Sequence, residues 1–115
     1  MAFDLLVDGR PIRVTIDDHG LVVDGEPVVL SARERSVFVA LARRPGAVIP
    51  KARLARDIWG SAARTRAVDT TVSRLRRRLG RAGAAVRTTR NRGYWLDAAP
   101  VDVTATTAPG SEIPQ

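Results

Sequence analysis

The stretch between residues 66 and 80 concentrates side chains that can bind anions. If it forms a helix, at about 100° per residue, most of its guanidinium and hydroxyl groups turn to one side. That side holds Arg66, Thr70, Ser73, Arg74 and Arg77, and its borders hold Arg76 and Arg78. Arginine presents a planar fork of donors that matches phosphate and guanine. The pattern favours binding to a polyanion, although a charge run more often only solvates a surface helix.

The other side of the same stretch is apolar. Val68, Val72, Leu75 and Leu79 follow at intervals of four, three and four residues, which places them on one helical face. Thr and Ser rather than Glu separate the arginines, and Asp69 is the only acid between residues 66 and 81. Helices that serve solubility alternate acids with bases. We therefore predict a helix over residues 66–79 with one buried side and one anion-binding side.

Three further patterns indicate the elements that position this helix. Residues 1–30 alternate apolar and polar side chains between short turn signals, which predicts four antiparallel strands near 3–8, 11–17, 20–24 and 27–30. Ser31 and Glu34 form a capping box for a first helix, and Pro50 and Gly60 bracket a second. Residues 86–96 alternate again around Asn91, as a hairpin with a basic tip does. The sequence thus predicts an α+β domain over residues 1–98 and a disordered tail over 99–115.

The composition restricts the function classes. The 115 residues leave room for one domain, and the absence of Cys excludes disulfides and thiolate chemistry. Of the 19 bases, 17 fall in residues 31–96, against three of the 12 acids. His19 lies in a turn without a partner for catalysis or metal binding, so we expect no enzyme, no metal and no cofactor. Because the N-terminus has no long apolar run, we expect a cytoplasmic protein with no membrane attachment.

The order of these parts resembles the DNA-binding domain of OmpR/PhoB-type response regulators. The resemblance covers residues 3–97. Its matching pieces are LSARE at 30–34, RRPGAVI at 43–49, LARDIWG at 54–60, AVDTTVSRLRRRLG at 67–80 and TRNRGYWL at 89–96. It implies a winged helix-turn-helix with an N-terminal four-stranded antiparallel sheet, three helices and a C-terminal β-hairpin wing.

The resemblance also implies a function, which is sequence-specific binding to double-stranded DNA as a transcriptional regulator. The recognition helix, 66–79, would enter the major groove, and the wing, 86–96, would reach the minor groove. The loop 60–65 would contact RNA polymerase. Two copies would bind direct repeats as a head-to-tail dimer, in the cytoplasm and associated with the nucleoid.

Matching positions give each site residue an expected role. Thr70, Thr71 and Arg74 would face base edges. Arg90 of the wing would enter the minor groove, with Arg92 as a second candidate. The residues expected to position the DNA backbone are Arg66, Ser73, Arg76, Arg77, Trp59 and Thr88.

Three departures from the family pattern leave other interpretations open. Arg35 stands where the family often has a buried aromatic, and Asn91 replaces a glycine at the wing tip, although Asn tolerates left-handed backbone. The 115 residues hold no receiver domain, so these residues are either a regulator with another input or the DNA-binding domain of a larger regulator. A winged-helix module for protein contacts and an RNA-binding module are the remaining alternatives, and the small number of aromatic rings disfavours single-stranded RNA.

Overall fold

The structure is a computed structural model that describes residues 1–100. Along the chain, the strands and helices are β1 (Ala2–Val7), β2 (Arg10–Asp17), β3 (Gly20–Val23), β4 (Glu26–Val28), α1 (Ala32–Ala42), β5 (Ile49–Pro50), α2 (Lys51–Trp59), α3 (Thr65–Leu79), a 3₁₀ helix (Gly80–Ala85), β6 (Val86–Thr89), β7 (Gly93–Leu96) and β8 (Ala98–Pro100). The α+β winged-helix fold predicted from the sequence is confirmed.

The N-terminal sheet has five strands in the order β4-β3-β2-β1-β8. The first four are the predicted ones, shifted by one or two residues at their ends. The fifth, β8, pairs antiparallel with β1, with Ala98 opposite Leu5 and Pro100 opposite Phe3. Ala99 and Pro100 therefore belong to the sheet, two residues beyond the domain end predicted at residue 98. The rest of the expected tail, 101–115, lies outside the described residues.

Capping residues mark the ends of the three helices. Ser31 accepts a hydrogen bond from the backbone N–H of Glu34, and the Glu34 carboxylate accepts one from the backbone N–H of Ser31, so the capping box predicted for α1 is present. Helix α2 ends at Trp59 and is capped by Gly60, whose φ of 80° a residue with a side chain would adopt only under strain. Helix α3 spans one residue more than predicted and ends at Leu79, with Gly80 as its C-cap.

The hydrophobic core lies between the inner face of the N-terminal sheet and the three helices. The sheet contributes alternate residues such as Leu5 and Val14, and α1 contributes Phe38, all without solvent exposure. The rings of Phe3 and Phe38 lie 5.8 Å apart, centroid to centroid, and join the sheet to the helix layer. From α3 the core receives the predicted apolar stripe, with Leu75 at its centre and fully buried. This packing fixes which sides of α3 remain free.

A second, three-stranded sheet in the order β5-β7-β6 carries the wing, defined as β6, β7 and the turn between them, residues 86–96. Gly93 of β7 lies so close to β5 that a Cβ there would overlap the carbonyl oxygen of Ile49. The wing is thereby attached to the short link in front of α2. Within residues 1–100, no helix has the length and apolar character needed to cross a membrane.

Candidate nucleic-acid interface

The outward side of α3 carries five of the residues predicted from the sequence. All five are solvent-exposed, and in residues 1–100 none of the three arginines among them has a carboxylate within ion-pair distance. They are Arg66, Thr70, Ser73, Arg74 and Arg77. The packing of the apolar stripe on the core holds this side of α3 rigidly outward, so the arginines form a fixed positive surface.

Thr71 does not belong to that surface. It is 8% exposed and one of the few polar side chains buried in residues 1–100. Three helical residues after Val68, it lies only roughly 60° around the helix from the centre of the apolar stripe. The expectation that Thr71 faces base edges is therefore contradicted by its position.

Arg76 is also placed differently from the expectation. Its Nε and Nη2 donate to the carbonyl oxygen of Val86 at 2.9 and 2.7 Å, and Nη2 donates to Thr88 Oγ1 at 2.7 Å. Its guanidinium carbon lies 5.6 Å from the ring centroid of Tyr94. Two of its three guanidinium nitrogens, Nε and Nη2, which were expected to bind a phosphate, donate to the wing instead. Arg76 fastens α3 to the wing, and the hydroxyl of Thr88, at the wing base, is its partner.

A second connection between α3 and the wing runs through Asp69. The Tyr94 hydroxyl donates to Asp69 Oδ1 at 2.5 Å, and Lys51 Nζ lies 3.0 Å from the same oxygen. Burial raises the pKa of Asp69, but the hydrogen bonds from Tyr94 and Lys51 and the Lys51 charge outweigh it, so the pKa is lowered below 3.8. Burial, with the hydrogen bond and charge of Asp69, raises the pKa of Tyr94 to about 12. Near neutral pH the carboxylate is therefore charged and the phenol is protonated.

The wing tip carries the two predicted arginines. Arg90 and Arg92 are exposed on either side of Asn91, whose φ is 62°. The backbone N–H of Arg92 donates to the carbonyl oxygen of Thr89 at 3.0 Å, which closes the turn. Asn91 adopts the left-handed conformation in place of the usual glycine, so this departure from the family pattern leaves the hairpin intact.

Trp59, at the end of α2, is half-buried and has a partner that sequence reasoning missed. The guanidinium carbon of Arg33, in the first turn of α1, lies 5.0 Å from the centroid of a Trp59 ring. Nothing in the sequence spacing links residues 26 positions apart, and the contact arises only because α1 and α2 pack side by side. Arg35, two residues after Arg33 in α1, donates from Nη2 to the carbonyl oxygen of Asp17 at 2.8 Å. Among the described residues, no group of three acidic or histidine side chains is placed to hold a metal ion.

Comparison with known proteins assigns this arrangement to a family. Residues 25–96, which include the three helices and the wing, match the family described as "Transcriptional regulatory protein, C terminal". The chain belongs to this family. The resemblance to OmpR/PhoB-type domains is confirmed, and the chain is a DNA-binding transcriptional regulator domain.

Solved structures of other members share the fold. The response regulator AdeR DNA-binding domain, in complex with an intercistronic region, is 27% identical with a TM-score of 0.66, and the alignment covers 73% of this chain and 93% of that one. The Klebsiella pneumoniae RstA DNA-binding domain, in complex with the RstA box, is 29% identical with a TM-score of 0.62, covering 72% and 89%.

A curated relative matches over a similar region. The sensory transduction protein RegX3 of Mycolicibacterium smegmatis is 30% identical over 80 residues, which are 68% of this chain and 35% of RegX3. This chain spans about a third of the length of the curated relatives it matches. The family assignment therefore rests on a region that corresponds to about a third of each of those longer proteins.

Proposed function

We propose that this domain binds duplex DNA sequence-specifically, with α3 in the major groove and the wing at an adjacent minor groove. The observation that carries the proposal is the exposed outward side of α3, where three arginines have no acidic partner within residues 1–100. A major groove about 12 Å wide admits such a helix, and its flanks then face the phosphate backbones. The AdeR and RstA domains, which share this fold, were solved in complex with DNA.

Burial and hydrogen bonding support a division of roles among the exposed residues. Arg74 and Thr70 lie on the outward side one turn apart and are the proposed base readers, since an arginine there can bond guanine through two donors. Arg66, Ser73 and Arg77 are the proposed backbone contacts. Arg90 and Arg92 are the proposed minor-groove contacts of the wing. Thr71 and Arg76 act inside the protein.

The proposal is tested by selecting bound duplexes from a random pool and titrating the preferred duplex at several salt concentrations. With about five to seven phosphate contacts, log K against log salt should fall with a slope of roughly −4 to −6. Competition by a scrambled duplex and by single-stranded RNA of the same length is the control. A slope near zero, or equal competition by the RNA, would rule out sequence-specific duplex binding.

We also propose two interactions from the family resemblance. The loop 60–65 contacts RNA polymerase, and two copies of the domain bind direct repeats head to tail, on the nucleoid in the cytoplasm. Loop residues Gly60 to Arg64 are exposed, and the Ser61 hydroxyl accepts a hydrogen bond from the backbone N–H of Ala63 at 3.3 Å, so the loop is accessible and structured. Transcription assays with Ala62→Asp, which leaves α3 unchanged, test the first proposal: DNA binding should persist while activation falls. Mass measurement on duplexes with one or two half-sites tests the second.

A further inference from the structure

The α1-side cleft, defined as the depression between the first turn of α1, the end of α2 and the start of α3, collects four arginines. Its volume is about 470 Å³. The arginines that line it are Arg33, Arg64, Arg66 and Arg74. Arg66 and Arg74 also belong to the outward side of α3, so the cleft is continuous with the surface proposed to enter the major groove.

The aromatic ring of Trp59 holds Arg33 in this cleft. The distance of 5.0 Å between the guanidinium carbon and the ring centroid is within the range of a cation–π contact. Such a contact uses the face of the guanidinium plane and leaves its N–H donors free at the edge. Trp59 is half-buried and so has a restricted orientation. Arg33 is thus partly ordered before any ligand arrives, which reduces the entropy lost when it binds one.

The positive charge of the cleft has no internal partner. Among residues 1–100, none of its four arginines lies within ion-pair distance of a carboxylate. The one acid that lines it, Glu34, is 2% exposed. One Glu34 oxygen already accepts from the backbone N–H of Ser31 at 3.1 Å and from Arg78 Nε at 3.2 Å. Four guanidinium groups at one cleft repel one another, and an anion between them would relieve that repulsion.

We propose that Arg33, stacked on Trp59, binds a backbone phosphate of duplex DNA together with Arg64 and Arg66. This inference rests on the proposed function, because it is the entry of α3 into the major groove that brings a phosphate backbone against the α1 side of the helix. The role of Trp59 is then to position Arg33. Arg33 is a DNA-binding residue outside the recognition helix and the wing.

The test compares Arg33→Gln with Arg43→Gln. Arg43 is also exposed, has no ion pair within residues 1–100, and lies at the other end of α1, away from the cleft. Both variants lose one charge, so they control for net charge. Arg33→Gln should weaken binding about threefold to tenfold at about 0.15 M salt and make the salt slope shallower by about 0.9, as expected for one lost phosphate contact. Arg43→Gln should retain the wild-type slope, and both should keep the wild-type melting temperature.

A second measurement locates the phosphate. Duplexes with a neutral methylphosphonate at one backbone position at a time are titrated with the wild type and with Arg33→Gln. One position should weaken the wild type and leave Arg33→Gln unaffected, since the contact is already absent there. If wild type binds duplex DNA but the two glutamine variants behave alike, the Arg33 inference is overturned while the proposed function stands. If the wild type does not bind duplex DNA, both fail.

Discussion

The two flanks of α3 both carry arginine, but they differ in whether the charged side chains have partners within the protein. On the wing side, Asp69 is bonded to Tyr94 and Lys51, and Arg76 is bonded to the wing backbone. On the α1 side, Arg66 and Arg74 have no acidic partner within the described residues. The wing side therefore serves to hold the fold together, and the α1 side keeps its charge available for a ligand. The number of arginines along the helix does not show which of them stabilise the fold and which are available to a ligand. Only their tertiary contacts show this.

The largest effect on stability is expected in the apolar stripe of α3, because both flanks depend on its packing against the core. Leu75→Ala removes the fully buried centre of the stripe that seats α3 on the core. The free energy of unfolding should fall by about 2 to 5 kcal/mol, the usual cost of a cavity of this size. Thermal and denaturant unfolding measure it, with the exposed Ala62→Ser as a neutral control. An unchanged unfolding midpoint would contradict the assignment of the faces of α3.

The next largest effect is a loss of stability that is expected for a substitution on the wing flank but not for one on the outward side. Arg76→Met keeps much of the side-chain volume but removes the donors to Val86 and Thr88. It should lower the free energy of unfolding by about 2 kcal/mol, because a partly buried carbonyl group loses its partner. Arg77→Met, one residue along and exposed, is the matched control and should leave stability unchanged. Equal stability of the two variants would show that the contacts of Arg76 do not support the wing.

A substitution on the outward side should change DNA binding and leave stability unchanged. Arg74→Ala should cost about 1 to 3 kcal/mol on the preferred duplex and relax the preference at one base position. Its melting temperature should equal that of the wild type, because Arg74 is exposed and has no ion pair within residues 1–100. Titration of preferred and scrambled duplexes measures the difference. Equal losses on both duplexes would mean that Arg74 contacts a phosphate and not a base.

The smallest expected effect concerns the bond between Tyr94 and Asp69, and it depends on pH. Tyr94→Phe removes the hydroxyl and should lower the free energy of unfolding by about 1 kcal/mol near neutral pH. The raised pKa of Tyr94, about 12 against an ordinary 10.0, stabilises the fold below pH 10 and loses that effect as the pH rises towards 12. The lowered pKa of Asp69 stabilises the fold above 3.8 and loses that effect as the pH falls further.

The stability difference between wild type and Tyr94→Phe should therefore be largest between these limits and shrink at both ends. Denaturant unfolding across the pH range measures it, with Trp95→Phe, in the same strand, as a control for the aromatic substitution. A difference that stays constant from acid to alkaline pH would show that the phenol and the carboxylate are not coupled.

The elements that depend on local patterns could be predicted from the sequence. Alternation gave the four N-terminal strands, the capping box at Ser31 gave the start of α1, and the apolar spacing gave the buried side of α3. Strand β8 was missed because Ala98 to Pro100 has no alternation, and its pairing depends on β1, more than 90 residues earlier in the chain.

The sequence predicted which side of α3 forms the site, but it did not predict the role of each residue on that helix. Thr71 stands at the border between buried and exposed positions, where its polar side chain suggested the wrong side. Arg76 and Arg33 have roles set by partners 10 and 26 residues away, Val86 and Trp59. No helical period contains such information, because these contacts arise from how α1, α2 and the wing pack around α3.

The pairing of β8 with β1 has a mechanical consequence. Since the two strands are antiparallel, the start of β1 lies beside the end of β8, with Phe3 opposite Pro100. A pulling force applied between residues 1 and 100 acts across the strands and breaks their hydrogen bonds one after another, as a zipper opens, whereas a force along the strands would load them together. Strand β8 should therefore peel away at low force. The four-stranded sheet beneath α3 would remain folded, and tension on the ends of the domain would leave the arginine surface intact.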